Sequence, residues 1–275
     1  SSVGPHPMDP LSLGVQHEPF WPLKPADLRP LRVAYTEDFG ACAVDPMIRC
    51  AFRERVQALS REVAVCEPLQ WDLSDGHRCF DVIRAESFFA AFEEVYRTQP
   101  ETLGPNVRAN VEMAASIQLA DRAWAHLAQT RINRQFQAAF EHYDLILSPV
   151  TPLSPFPWTE LYAEVVDGHK QRNYYEWLSL TYMVTLATNP ALSLPCGKDE
   201  AGMPFGLQLI GPLHRDAHLL RMAAALEQWG QTQTAWNRPR PDMAALQQAR
   251  PELKSIVTHP PVFSDGAAVD THNAV

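Results

Sequence analysis

Basic residues are scarce in this sequence: 23 Lys and Arg stand against 32 Asp and Glu, leaving a net charge of −9. No basic stripe is present to follow a phosphate backbone or an anionic membrane face, so neither nucleic acid nor membrane is expected as a partner. No apolar run reaches the roughly 20 residues of a membrane span, and no N-terminal signal pattern is present. Cysteine is sparse as well. Cys42, Cys50, Cys66, Cys79 and Cys196 are scattered without C-x-x-C spacing and read as reduced thiols of a cytoplasmic protein. Common catalytic signatures are missing: there is no G-x-S-x-G elbow, P-loop, G-x-G-x-x-G or H-E-x-x-H. Ser1-Ser2 is the only adjacent serine pair, and no Gly/Ser-rich stretch offers backbone amides to a developing oxyanion. His214 and His218 have the spacing of a shared metal at a helix start, but no third ligand lies near them in sequence, and solvated histidines explain them better. Glu86, Glu93 and Glu94 fit the solvated side of a helix better than acid–base work.

What is present supports a sizeable fold. With 275 residues, 46% hydrophobic and 20% charged, the chain can bury one or two cores. The most informative stretch is TLATNPALSLPCGKDEAGMPFGLQLIGP, from Thr185 to Pro212. Ala191–Pro195 and Phe205–Ile210 are strand-length apolar runs, and residues 196–204 between them carry the Gly, Pro and charge that reverse a chain. An amphipathic helical run precedes this pair, and a second helix, Arg215 to Gln228, follows it. Further upstream, Leu31–Thr36 and Val63–Cys66 read as strands. Between them Asp45-Pro46 opens a helix, with Asp as N-cap and Pro in the first turn. Strand, helix and strand in that order predict a parallel crossover. A helix with an inward aromatic stripe is expected over residues 77–97. One long helix is expected from about Val107 to Phe140, with Arg, Gln and Glu outside and Met113, Ile117, Ala120, Trp124 and Leu127 buried. Tyr143–Ser148 is the next strand, stopped by Pro149. Ser1 to Pro30 reads as loop, and Phe263 to Val275 as a solvated tail. The fold class is α/β, a mixed β-sheet covered by helices.

Several of these segments carry a family resemblance. NPALSLPCG, then DEAGMPFGLQLIGP, then RDAHLLRMAAALE is similar to the ordered C-terminal motifs of the amidase-signature hydrolases, G-x-P-A-x-S-x-P-x-G, G-x-P-x-G-x-Q-x-I-G-P and D-x-x-L-L. LRVAYTEDFG and YDLILSPVTP resemble two further family segments, and Val3 to Ser12 resembles a G-x-x-x-x-D-P-x-S segment that lies after the family's catalytic serine region. The resemblance implies an amidase that cleaves a small carboxamide through a serine acyl-enzyme, using a lysine and two serines and no metal or organic cofactor. It implies that residues 1–240 are the C-terminal portion of such a domain, with residues 241–275 an extension, partly disordered. The nucleophile is then expected outside these residues, on an N-terminal half or a partner chain, and the isolated chain is expected to be inactive and prone to association, homo-oligomers included.

Carried over residue by residue, the resemblance points to Thr181, Val184, Thr185 and Thr188 on the helix before the P-A strand, and to Thr151, as substrate-pocket wall. Thr188 departs from the family's glycine, which implies either a narrower channel or a shifted backbone. Against this stands the reading that the threonines only cap or back-bond a helix. Cys196 is expected to be a small buried residue rather than a nucleophile. Two other readings stay open: the amidase component of a tRNA-dependent amidotransferase, and a non-catalytic scaffold or interaction chain.

Overall fold

The structure, a computed structural model, describes residue 8 and residues 21–157, 160–238 and 240–251. Most of the Val3–Ser12 segment and all of Phe263–Val275 lie outside the described residues. Contacts divide the chain into Ser1–Arg238 and Pro239–Val275. In the second unit the described residues form one short helix, Met243–Leu246, capped by the Asp242 carboxylate.

Within the first unit, β1 (Arg32–Tyr35), α1 (Pro46–Leu59) and β2 (Val65–Pro68) make the expected crossover, with β1 and β2 parallel. The Asp45 carboxylate accepts the Met47 amide at 2.8 Å, and Pro46 follows it at the first helical position, where a missing N–H costs nothing. Next come α2 (Asp75–Thr98), α3 (Pro105–Ala115), α4 (Leu119–Phe140) and β3 (Leu145–Pro149). A two-stranded hairpin follows, β4 (Val165–Val166) with β5 (His169–Lys170). Then α5 (Ser179–Ala187), β6 (Ala191–Lys198), β7 (Pro204–Ile210) and α6 (Asp216–Gly230) complete the unit.

The main sheet has the order β2-β1-β3-β7-β6, parallel between β2, β1 and β3 and antiparallel from β3 through β7 to β6. It is mixed, and helices cover it. Consecutive residues of its centre, Leu145-Ile146-Leu147 and Leu209-Ile210, have no exposure, so both faces of the central strands are buried. The 199–203 turn is shorter than the expected loop because β6 runs on to Lys198 through a bulge after Pro195. Arg55 of α1 holds that bulge: its Nε donates to the Cys196 carbonyl at 3.3 Å and its Nη2 to the Lys198 carbonyl at 2.5 Å. Gly197 (φ +89°) sits inside the bulge, where a Cβ would lie 2.2 Å from the Ala235 carbonyl oxygen.

Three helical expectations need correction. The helix expected over 107–140 is two helices, because Gln118 starts a new one: its backbone N–H donates to the Asp121 carboxylate at 3.0 Å in a reciprocal capping box. The buried face of α4 is Ala125, Ala128, Ile132, Phe136 and Ala139, while Leu127 is 63% exposed. On α2 the buried residues are Gly76, Cys79, Val82 and Ala85, and Phe89 is exposed, so the aromatic stripe is only partly inward. Small residues on α2 let α5 approach it closely: a Cβ at Gly76 would meet the Met183 sulfur at 2.2 Å.

Candidate functional site

Four of the five residues that the resemblance put on a pocket wall lie on α5 or at its end. Its apolar side, Leu180, Met183, Leu186 and Ala187, is buried, which fixes the opposite side outward. Thr181, Val184 and Thr185 follow one another along another side, where Thr181 is half-buried, Val184 is buried in the core and Thr185 is exposed. The helix ends at Thr188, whose left-handed conformation (φ +61°) terminates it with an exposed side chain. Four of the five residues proposed from sequence therefore share one side of one helix or its cap. Thr151 stands apart, exposed just beyond β3, with its hydroxyl donating to the Leu153 carbonyl at 3.3 Å.

The hydroxyls on α5 are engaged locally. Thr181 donates to the Leu178 carbonyl at 2.8 Å and Thr185 to the Thr181 carbonyl at 3.2 Å. These are the helix-back-bonding contacts that the sequence left open beside the pocket reading. They hold the Thr181 and Thr185 hydroxyls against the helix backbone.

What places this helix was not read from the sequence. The last carbonyls of α5 lack intrahelical partners, and side chains of α4 supply them. Gln129 donates to Leu186 O at 3.3 Å and Asn133 to Ala187 O at 2.8 Å, while Gln137 donates at 3.3 Å to the side chain of Asn189, just past the helix. Spaced by four, these three lie on one side of α4, the side turned to α5 rather than to solvent. At the other end Gln208 of β7 is buried, and its Nε2 donates to Ser148 Oγ of β3 at 2.8 Å and to the Leu180 carbonyl at 3.0 Å. The helix carrying these threonines is thus pinned to the sheet at its start and to α4 at its end. The motif glutamine was visible in sequence; its partner, 28 residues away in sequence, was not.

The cysteine chemistry is quiet. Cys196 is fully buried and burial pushes its thiol up to about 12, so it stays protonated and is no nucleophile at neutral pH. Burial does the same to Cys42, again to about 12. Among the described residues no group of three or more His, Cys, Asp or Glu side chains could hold a metal ion, and no helix is long and apolar enough to cross a membrane.

The fold is thus a mixed sheet with a threonine-bearing helix bonded to β7 at its start and to α4 at its end. Comparison with known proteins gives the family. A family model described as amidase matches residues 2–220. A glutamyl-tRNA(Gln) amidotransferase component of Clostridium acetobutylicum is 30% identical over 225 residues, covering 73% of this chain and 46% of the relative. Its counterpart in Synechococcus elongatus is 34% identical over 163 residues, 58% of this chain and 32% of its own length. A bacterial aryl acylamidase of the amidase signature family superposes with a TM-score of 0.71 at 18% identity, over 82% of this chain and 48% of its own. The 6-aminohexanoate cyclic dimer hydrolase gives a TM-score of 0.68 at 21% identity, over 88% and 53%. The chain belongs to the amidase-signature family. It spans about half the length of the relatives it matches over most of its own length.

Proposed function

We propose that this chain is the scaffold and acyl-side pocket wall of an amidase that cleaves a small carboxamide. In that reaction a serine hydroxyl attacks the amide carbonyl and the C–N bond breaks. The amine leaves with a proton, and water then hydrolyses the serine ester to the free acid. The serine, its bridging serine and the lysine base come from an N-terminal half or a partner chain. The observation that carries this reading is the placing of Thr181, Val184, Thr185 and Thr188 along one side of α5, a helix held at both ends, with Thr185 and Thr188 exposed, Thr181 half-buried and Val184 buried between them. Thr151 at the end of β3 is assigned to the same wall. Thr188 sets the size limit: a β-branched residue where glycine would leave space favours short acyl groups. The free, unbridged thiols fit work in the cytoplasm, and the edge strands β2 and β6 would allow association into homo-oligomers.

The test is ammonia release from acetamide and benzamide. The chain alone gives none; adding a polypeptide that supplies the Gly/Ser-rich, lysine-bearing half gives turnover. Turnover by the chain alone overturns the placement of the nucleophile.

A second reading is favoured by the names of the sequence relatives, which are components of glutamyl-tRNA(Gln) amidotransferases. On that reading the completed enzyme hydrolyses glutamine and hands the ammonia to a partner protein. Glutaminase activity that requires a partner, with no turnover of acetamide, selects it.

A further inference from the structure

Beside the first turn of α5 lies a cleft of about 510 Å3, bordered by the loop after β1, by His77 of α2 and by the β4–β5 hairpin. Its volume is in the range that accepts a small molecule. Its charged lining is balanced, Arg49, Lys170 and Arg172 against Asp38, Asp167 and Glu176. Its hydrogen-bonding capacity is not. Arg49 uses Nε on the Val44 carbonyl (3.2 Å) and Nη1 on Glu37 (2.9 Å) and Asp38 (2.7 Å). Arg172 uses Nε on Glu176 (2.7 Å) and Nη1 on Asp81 (2.9 Å). Among the described residues the Nη2 group of each arginine has no partner, and the ammonium of Lys170, exposed on β5, has none either.

Two of the three lining carboxylates are already engaged. Asp38 takes the Gly40 amide on Oδ1 at 2.8 Å and Arg49 on Oδ2. Glu176 takes the Arg172 backbone amide on Oε2 at 2.5 Å and the Arg172 Nε on Oε1. Asp167, at the hairpin turn, is the lining carboxylate without such a partner among the described residues. Two guanidinium groups held by carboxylates, with outer N–H groups and an ammonium that meet no protein acceptor among the described residues, offer donors to a ligand that brings oxygen acceptors.

We propose that this cleft binds a small organic carboxylate. Its oxygens are received by the free Nη2 ends of Arg49 and Arg172 and by Lys170, and its carbon part lies against Ala41, Cys42 and Ala43. A monoanion suits the site better than a phosphate dianion. The lining carboxylates cancel its cations, and Glu37 and Asp81 stand directly behind the two arginines. The assignment does not depend on the amide-cleavage reading.

The experiment is an amide and arginine-Nε NMR titration of the 275-residue chain with propionate, with phosphate and methylammonium as comparison ligands at matched ionic strength. Propionate is expected to give saturable shifts at residues 41–43 and at the Arg172 Nε, and phosphate and methylammonium are expected to give much smaller ones. Lys170→Ala is expected to weaken propionate about threefold to fivefold with an unchanged melting temperature, since the side chain is exposed and unpaired. Non-saturating shifts, equal binding of phosphate, the same shifts from methylammonium, or undiminished affinity in Lys170→Ala would each overturn the assignment.

Discussion

Replacing Gln208 by Met isolates the bond that seats α5 on the sheet. The two side chains have nearly the same length and volume, so the substitution opens no large cavity and tests hydrogen bonding almost alone. Gln208 Nε2 makes two buried bonds, to Ser148 Oγ and to the Leu180 carbonyl, each worth about 1 kcal/mol net. Loss of both gives about 2 kcal/mol. Ser148 Oγ is left only its own donation to the Pro149 carbonyl at 3.1 Å, inside a residue with no exposure, which raises the cost toward about 3 kcal/mol. For a domain of this size that lowers the melting temperature by roughly 5–10 °C. Calorimetry of the wild type and Gln208→Met gives the number, and hydrogen exchange of the α5 amides locates it. A melting temperature within about 1 °C of wild type, with α5 protection unchanged, would refute the claim that this glutamine positions the helix.

Other substitutions probe separate features. Gly197→Ala places a methyl group against the Ala235 carbonyl at a positive φ, and is expected to cost about 3 kcal/mol or more in denaturant melts, whereas an exposed-loop glycine such as Gly202 costs less. Thr188→Gly relieves a left-handed threonine and is expected to raise stability by up to about 1 kcal/mol; in the completed enzyme it shifts preference toward bulkier acyl groups, read as the ratio of kcat/KM for benzamide over acetamide. Thiol labelling at pH 8 should modify exposed Cys50 first. Cys42 and Cys196, with thiols pushed up to about 12 by burial, hold about one part in ten thousand as thiolate at that pH and react only on unfolding; raising the pH from 7 to 9 increases that fraction about a hundredfold without exposing them. Early labelling of Cys196 would contradict its place in the core.

The parts of the fold that were legible in sequence are those fixed by neighbours along the chain. Asp45-Pro46 names a helix start because cap and first turn are adjacent, and the β6–β7 hairpin is legible because Gly202 and Pro204 punctuate two apolar runs. The break between α3 and α4 was not legible, since the apolar spacing continues through Ile117 and only the Gln118–Asp121 pairing interrupts it. Gln129, Asn133 and Gln137 have the composition of a solvated helix side. Their work, closing the C-terminal end of α5, depends on a helix some fifty residues away. Of the candidate wall, the resemblance grouped Thr181, Val184, Thr185 and Thr188 on one helix, but the glutamine that seats that helix had no local signal beyond its motif. The cleft beside α5 was not legible at all, because its donors come from residues 49, 170 and 172 and meet only through the fold.

The most direct test of the central claim, that this chain supplies the scaffold and pocket wall and not the nucleophile, is ammonia release from acetamide and benzamide, measured with and without a second polypeptide bearing the lysine and serine half. The account predicts no turnover from the chain alone and turnover on recombination that falls away in a chain whose α5 has been loosened by Gln208→Met. Turnover by the chain alone, surviving in that variant, would contradict it.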